Sequence, residues 1–486
     1  MDIADLGPDY VPVLFELRKT EKDAILAQAA RALLAGRSPA EILSDYAREN
    51  SSDDLIIDPH FGAAPLGQGL SADFSPRALE PEQSEWYVLR GFARRDASGR
   101  VANTIKGMEV QLHSDPVIGF ALTRDTDHAV GAASDVAANL DTATLAQHGL
   151  DGAGVAIAIV DTGIYLPHLT RELGAAPNLD VGNSWTPPNL TTRPGMHRLG
   201  HGTMCAYGAL IAAPKATLLD IAMLKARPYG DHRVPATVSA AMQAYWPLVY
   251  NWVVAPLLGK KEPPYKSLVV SNSWGIFHPS LDPFPPGSPG RFIDNPNHIF
   301  RYFTKALAFA GVDIVFAASN CGPECTSAVC LSKSTGMIMG ANAYDEVLTM
   351  AGCDVKDVRV GYSSKGPSIA NMPQQKPDLT AYTHFLGSRT VTLPAWLLAK
   401  VPPGKTFEHG WQPDSGTSTA CPVAAGCVAA LRTQRPEETT PPISSAAMFT
   451  ALKNTAQNPP GAGWNPDYGH GIIRPVPAAR SLGLIP

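Results

Sequence analysis

Ile157-Ala158-Ile159-Val160-Asp161-Thr162-Gly163 is the stretch on which the fold turns. The run from Val155 to Val160 is short, apolar and rich in β-branched residues, the pattern of a strand buried on both faces of a parallel sheet. It stops at Asp161, and Gly163 follows, so a carboxylate is predicted at the carboxyl end of a strand. Open α/β sheets build their sites there. Forty residues on, His201-Gly202-Thr203 leads into small and apolar residues at helical spacing. His201 is therefore predicted at a helix start. Farther along, Gly416-Thr417-Ser418-Thr419-Ala420-Cys421-Pro422 precedes a helix of small residues over 420–431. Glycine and alanine let that helix approach the sheet, and its N-terminus favours negative charge at Ser418.

A serine hydroxyl is a poor nucleophile at neutral pH. It needs an imidazole to accept its proton and a carboxylate to hold that imidazole's tautomer. Singly, each motif reads equally well as a turn or a helix cap. Together, in the order acid, base, nucleophile, the chain resembles the subtilisin-like (subtilase) serine peptidases over roughly residues 130 to 486. The resemblance implies an α/β fold: a three-layer, doubly wound, mostly parallel sheet, with a smaller N-terminal α+β module in front. It implies Asp161, His201 and Ser418 as the catalytic set. The strand ending in Ala317-Ala318-Ser319-Asn320 resembles the one that carries the oxyanion asparagine, so Asn320 is expected to act beside the Ser418 backbone N–H.

The resemblance also implies substrate-binding residues. Ser273, Trp274 and Gly275 close a strand resembling the edge on which a peptide substrate is added, and Ala317, Ala318 and Ser319 face it. The family usually has a smaller aliphatic residue where Trp274 stands, walling the pocket for the substrate residue four places before the cut. Tryptophan there implies small residues at that position. Met204 stands where a second histidine is usual, Tyr207 where a glycine is usual, and Thr419 and Cys421 replace the usual neighbours of the serine. The helix after His201 runs into the next strand without the family's calcium loop, so no calcium site, metal or cofactor is expected.

Composition narrows the partners. The chain has 486 residues, 45% hydrophobic and 17% charged, with net charge −5. That suits a two-domain globular protein. It offers no basic stripe for nucleic acid and no polybasic segment for anionic lipid. The partner expected is a peptide or protein substrate; oligomeric state is left open. Met1 to Leu6 has neither a positive nor an apolar segment of a secretory signal, so the expected location is cytoplasmic. Residues 234–259 are uncharged and long enough to imitate a membrane span. Thr237, Gln243, Asn251, Pro247 and Pro256 favour a buried helix instead. Seven cysteines leave at least one unpaired. Cys321, Cys325, Cys330 and Cys353 could pair or hold zinc, but their spacing fits no zinc knuckle, and a cytoplasmic location favours reduced thiols. Pro403-Gly404-Lys405-Thr406 imitates a phosphate-binding loop, yet its prolines remove the N–H donors such a loop needs.

The expected division is an N-terminal accessory or propeptide-like module over residues 1–128 and a peptidase domain over 129–486. Two helices are predicted between residues 20 and 49, the second opened by the capping box Ser38-Pro39-Ala40-Glu41. Residues 50–83 read as linker. Strands are expected at 86–92 and 108–112, a pair weakly similar to the module that precedes many subtilase domains. Insertions are expected at 226–264, 277–299 and 384–412, the last with apolar Pro394-Ala395-Trp396-Leu397-Leu398. Residues 444–456 are predicted as a final helix. The reading that follows is a serine endopeptidase working through an acyl-enzyme on Ser418, and a processing enzyme in style. The alternative is a catalytically silent member of the fold used for binding. A lipase-like hydrolase requires a different residue order and a Gly-x-Ser-x-Gly elbow, which Gly361-Tyr362-Ser363-Ser364-Lys365 breaks.

Overall fold

β1 (Tyr10–Arg18) pairs antiparallel along its whole length with β4 (Trp86–Arg94). The computed structural model describes residues 9–19, 24–61, 63–70, 75–96, 100–105, 108–121, 123, 129–188, 190–226, 236–388, 413–433, 443–457 and 463–486. The 394–398 and 403–406 segments, and the expected boundary near 128, lie outside the described residues. β2 (Leu55–Ile57) and β3 (Ala64–Gly67) both pair with β4, so the stretch read as linker contributes two short strands. β5 (Thr104–Ile105) and β6 (Met108–Glu109) form a separate small hairpin, and β7 (Leu112–Ser114) pairs with β1. The predicted 108–112 strand is thus two short pieces.

Strand pleating explains how this first sheet sits. Alternate residues of a strand face opposite sides. In β1, Val11, Val13 and Phe15 join a core with Leu26, Ala29 and Ala30 of helix α1 (Ala24–Leu34) and with Leu43 and Ala47 of helix α2 (Ala40–Asn50). Leu14, between them, joins the other side, in one core with Trp246, Trp252 and Phe300 of the second domain. The module therefore shares a core with the domain behind it. The predicted capping box does not form. Pro39 takes the cap position without a side-chain bond, and Ser38 Oγ accepts from the Ala40 N–H at 3.3 Å.

Arg90 lies opposite Leu14, on the face turned to the second domain. It is buried and makes an ion pair with Asp58 at 2.6 Å, while another guanidinium nitrogen donates to Ser239 Oγ at 3.0 Å. The Ser239 N–H donates to Asp115 at 2.7 Å. His298 and the Ser114 carbonyl oxygen are 2.9 Å apart. These buried polar contacts lie between the two sheets' layers and fix how they meet.

The second domain is built on six parallel strands in the order β13-β12-β11-β10-β8-β9. They are β8 (Val155–Val160), β9 (Thr217–Ile221), β10 (Ser267–Asn272), β11 (Asp313–Ala317), β12 (Val347–Cys353) and β13 (Leu379–Tyr382). Val155, Ile157 and Ile159 of β8 face one core, with helices α3 (His201–Leu210) and α6 (Thr417–Leu431). Ala156, Ala158 and Val160 face the other, with α4 (Val238–Val249) and α5 (Arg301–Phe309). Helices on both faces of a parallel sheet give the three layers expected of a strand buried on both sides. The uncharged stretch is the buried helix α4 and its continuation through Leu257. Among the described residues, no helix is long and apolar enough to cross a membrane. Helix Ser445–Asn454 is not the last, because Pro475–Ser481 follows it.

Candidate active site

Asp161 follows the last residue of β8, and His201 is the first residue of α3. Parallel pairing of β8 between β9 and β10 puts the carboxylate at the end of the sheet where the helices begin. His201 Nδ1 lies 2.9 Å from each Asp161 oxygen. That leaves Nε2 as the nitrogen available for proton transfer. Ser418 stands in the first turn of α6, and its residue is buried, 3% exposed. Among the described residues, no protein group is hydrogen-bonded to Ser418 Oγ.

The turn into α6 explains the Gly-Thr-Ser sequence. Gly416 has φ +85°, and a Cβ there would sit 2.9 Å from Asn320 Nδ2. Only glycine meets both conditions comfortably. Thr417 then donates twice to Asn320 Oδ1, from its N–H at 2.9 Å and its hydroxyl at 3.0 Å. With its oxygen held, the Asn320 amide must present its NH₂ to the cleft. The role of Thr417 was not read from sequence, where it looks like an ordinary residue before a helix.

Pro422 explains two further neighbours. A proline inside a helix cannot donate to the carbonyl four residues back, and here that carbonyl belongs to Ser418. The Ser273 hydroxyl donates to it at 2.9 Å, and Cys205 Sγ lies 3.3 Å away. Ser273 is thereby tied to the nucleophile's backbone. Burial raises the Cys205 thiol well above its ordinary pKa, and the Asp161 charge adds to the effect. Burial likewise pushes Cys421 up to about 12. Both are neutral thiols. Asp161, His201 and Cys205 bring potential ligand atoms within 4.8 Å of one another, but a metal there would need the thiolate that burial disfavours and the carboxylate already engaged by His201.

The cleft holds part of the chain itself. Gly119 and Gly275 exchange two backbone hydrogen bonds, 3.0 Å from the Gly119 N–H and 2.8 Å from the Gly275 N–H. The Phe120 ring stacks on His201, centroids 4.2 Å apart at 19°. Asn320 Nδ2 donates to the Ala121 carbonyl oxygen at 2.7 Å. Ala121, Ser273, Trp274, Ala317, Ser319, Asn320 and Ser418 are among the residues around a cavity with about 10 Å³ of free space.

Trp274 borders this cavity beside Ser418. Its ring is 2% exposed, its N–H donates to Asn272 Oδ1 at 3.1 Å, and it packs edge-on against Phe316. Ala318 is wholly buried in the core, and its N–H is spent on Met350. It does not line the cavity. Asn342, unread in the sequence, braces both walls by donating to the Trp274 and Ala317 carbonyls at 2.9 and 2.8 Å. Beyond Asn320, Cys321 and Cys330 form a disulfide. This overturns the expectation of reduced thiols there: the tight turn returns Cys330 beneath Asn320, whose carbonyl accepts from the Ser327 N–H at 3.0 Å.

The family model for the subtilase family, peptidase S8, matches residues 152–471, more than half the chain. The chain belongs to the subtilase family. The chain is 27% identical to the serine protease AprX of Bacillus subtilis (strain 168) over 327 residues, 63% of this chain and 65% of AprX. It is 36% identical to the subtilisin-like protease SBT3.16 of Arabidopsis thaliana over 126 residues, 24% of this chain and 15% of that protein. It thus spans less than two thirds of the length of either relative. A crystal structure of a lanthipeptide protease superposes with a TM-score of 0.46 at 17% identity, covering 72% of this chain and 94% of that one. Where this subtilase has Met204 in place of the family's second histidine, its sulfur accepts from the Thr419 hydroxyl at 3.5 Å. The two departures from the usual family pattern thus pair with each other, behind Ser418.

Proposed function

We propose that this chain is a serine endopeptidase that hydrolyses peptide bonds through an acyl-enzyme on Ser418. His201 takes the serine proton and returns it to the leaving amine. Asp161 fixes its tautomer and stabilises the imidazolium. Asn320 Nδ2 and the Ser418 N–H receive the oxyanion. The observation that carries this reading is the Asn320–Ala121 bond: a peptide carbonyl accepts from the side-chain amide where a tetrahedral oxygen would form. The cleft's fixed walls support a processing enzyme that selects its cut over a general scavenger.

A fluorophosphonate tests the reading. Intact-mass analysis should show one phosphonyl group, on Ser418, and none in Ser418→Ala. A folded protein that takes no label and hydrolyses no peptide would instead be a silent binding fold.

A further inference from the structure

Asp220 is a second carboxyl one strand away from Asp161, and the acyl-transfer steps do not use it. It stands near the carboxyl end of β9, opposite Ile159 of β8. Alternation puts it on the face of Leu218, turned to the core that holds α3. It is wholly buried. Its Oδ2 accepts from the Gly195 N–H at 2.7 Å and lies 3.8 Å from His197 Nε2. Among the described residues, Oδ1 has no hydrogen-bond partner. Burying such a group opposes folding, so its presence asks for a role. Burial pushes the Asp220 carboxyl up to about 7, although the N–H groups of Gly195 and Ile164 oppose the shift. Burial lowers the His197 imidazole, and Lys225 lowers it further.

Gly195 and His197 belong to the segment that leads into α3, and that segment lies along the turn after Asp161. The Leu166 N–H donates to the Gly195 carbonyl at 2.7 Å, and the His197 N–H donates to the Ile164 carbonyl at 3.0 Å. The His197 ring fills the place where Gly163 would carry a side chain: a Cβ there would meet the ring at 2.4 Å. Gly163 in turn bears on the first turn of α3, since a Cβ on Gly202 would sit 2.7 Å from the Gly163 carbonyl oxygen. The Thr162 hydroxyl accepts from the Gly202 N–H at 2.9 Å, and the Thr162 N–H donates to Asp161 Oδ1 at 2.6 Å. Asp220 thus anchors the segment that seats Gly163, and Gly163 and Thr162 set how Asp161 meets His201.

We propose that Asp220 and His197 are positioning residues for catalysis: from β9 they hold the 161–163 turn against the start of α3, so that both Asp161 oxygens reach His201 Nδ1 at 2.9 Å. The proposal rests on the peptidase reading above. The two side chains act through different properties. Asp220 serves as a buried acceptor for the Gly195 N–H, and an uncharged amide oxygen can take that place. His197 serves as a flat ring against Gly163, and a phenyl ring can take that place. Without either, the turn is free to shift, and small displacements of a catalytic group cost rate steeply.

The test uses the full chain. Active sites are counted with the fluorophosphonate, and casein hydrolysis is measured per labelled site, with Ser418→Ala as the blank. Asp220→Ala and His197→Ala should each lower kcat per labelled site by about 10-fold or more, with KM little changed. Asp220→Asn and His197→Phe should each recover to within about 3-fold of the wild type. The two positions are read separately, so a variant that fails to fold at one leaves the other to decide. Alanine variants that turn over at the wild-type rate per labelled site, with only a lowered Tm, overturn the proposal and leave the peptidase reading standing. Asparagine and phenylalanine variants as slow as the alanine ones overturn it too. A folded wild type that takes no label defeats the peptidase reading, and this proposal with it.

Discussion

Asn320 holds Thr417 and Ala121 at opposite ends of one side-chain amide: its oxygen accepts from Thr417, and its nitrogen donates to the Ala121 carbonyl at 2.7 Å. The amide orientation is therefore fixed before any substrate arrives. Asn320→Ala should lower kcat by about 10²–10³ with little change in KM, the range seen when subtilisin loses its oxyanion donor. Asn320→Asp keeps the acceptor for Thr417 but has no N–H to offer, so it should fall similarly. Steady-state kinetics decide it. Near wild-type turnover in both variants would remove Asn320 from the mechanism.

Arg90 is the charge on which the two sheets' junction depends. It and Asp58 are both buried, and Arg90 also reaches Ser239. Arg90→Met leaves Asp58 buried without its cation and should cost about 3–5 kcal/mol in denaturant unfolding. The double variant Arg90→Met with Asp58→Leu should recover most of that loss. A single variant no less stable than the double would contradict the pairing.

His298 should make stability fall in mild acid. Burial holds its pKa well below the ordinary value, and neighbouring His113 lowers it further, although its bond to the Ser114 carbonyl opposes the shift. Below about pH 6.5 the unfolded chain binds a proton here that the folded chain does not, so stability is lost as pH falls from about 6.5 toward the folded pKa, and is level above it. Unfolding at pH 7.5 and 5.5 should differ by about 1 kcal/mol more in the wild type than in His298→Asn. Equal pH dependence in the two would refute the assignment.

How much of this was legible beforehand differs from residue to residue. Asp161, His201 and Ser418 stand out because each lies just after a strand or in the first turn of a helix with a strong local signature, and Asn320 follows β11 by three residues. The six-stranded sheet follows from runs such as 155–160, whose both-faced burial leaves little ambiguity. β1 was not anticipated, although Val11, Val13 and Phe15 alternate clearly in retrospect. Its role depends on β4, some seventy residues away in sequence. The support given by Thr417, Asn342 and Ser273 is tertiary: the Ser273 bond exists only because Pro422 leaves a carbonyl unpaired. Gly119, Phe120 and Ala121 carry no motif at all. Their contacts with Gly275, His201 and Asn320 place them.

The shared core predicts what truncation does. Leu14, Leu33, Phe61 and Leu66 of the first module pack in one cluster with residues of the second domain. Residues 129–486 expressed alone would expose that face to water, at about 1.5–3 kcal/mol for each large side chain whose partner is lost. Poor soluble yield and a broad thermal transition are expected. A cooperative transition at the full chain's Tm would show that the cluster is dispensable.

The central claim is that Ser418 is the nucleophile. The most direct measurement is the rate at which the wild type and Ser418→Ala hydrolyse an unfolded protein substrate such as casein, followed by mass spectrometry, with circular dichroism confirming that both are folded. Loss of the nucleophile costs subtilisin about 10⁶ in turnover, so the variant should be inert over any practical incubation. Cutting by Ser418→Ala at a rate close to that of the wild type would contradict the account.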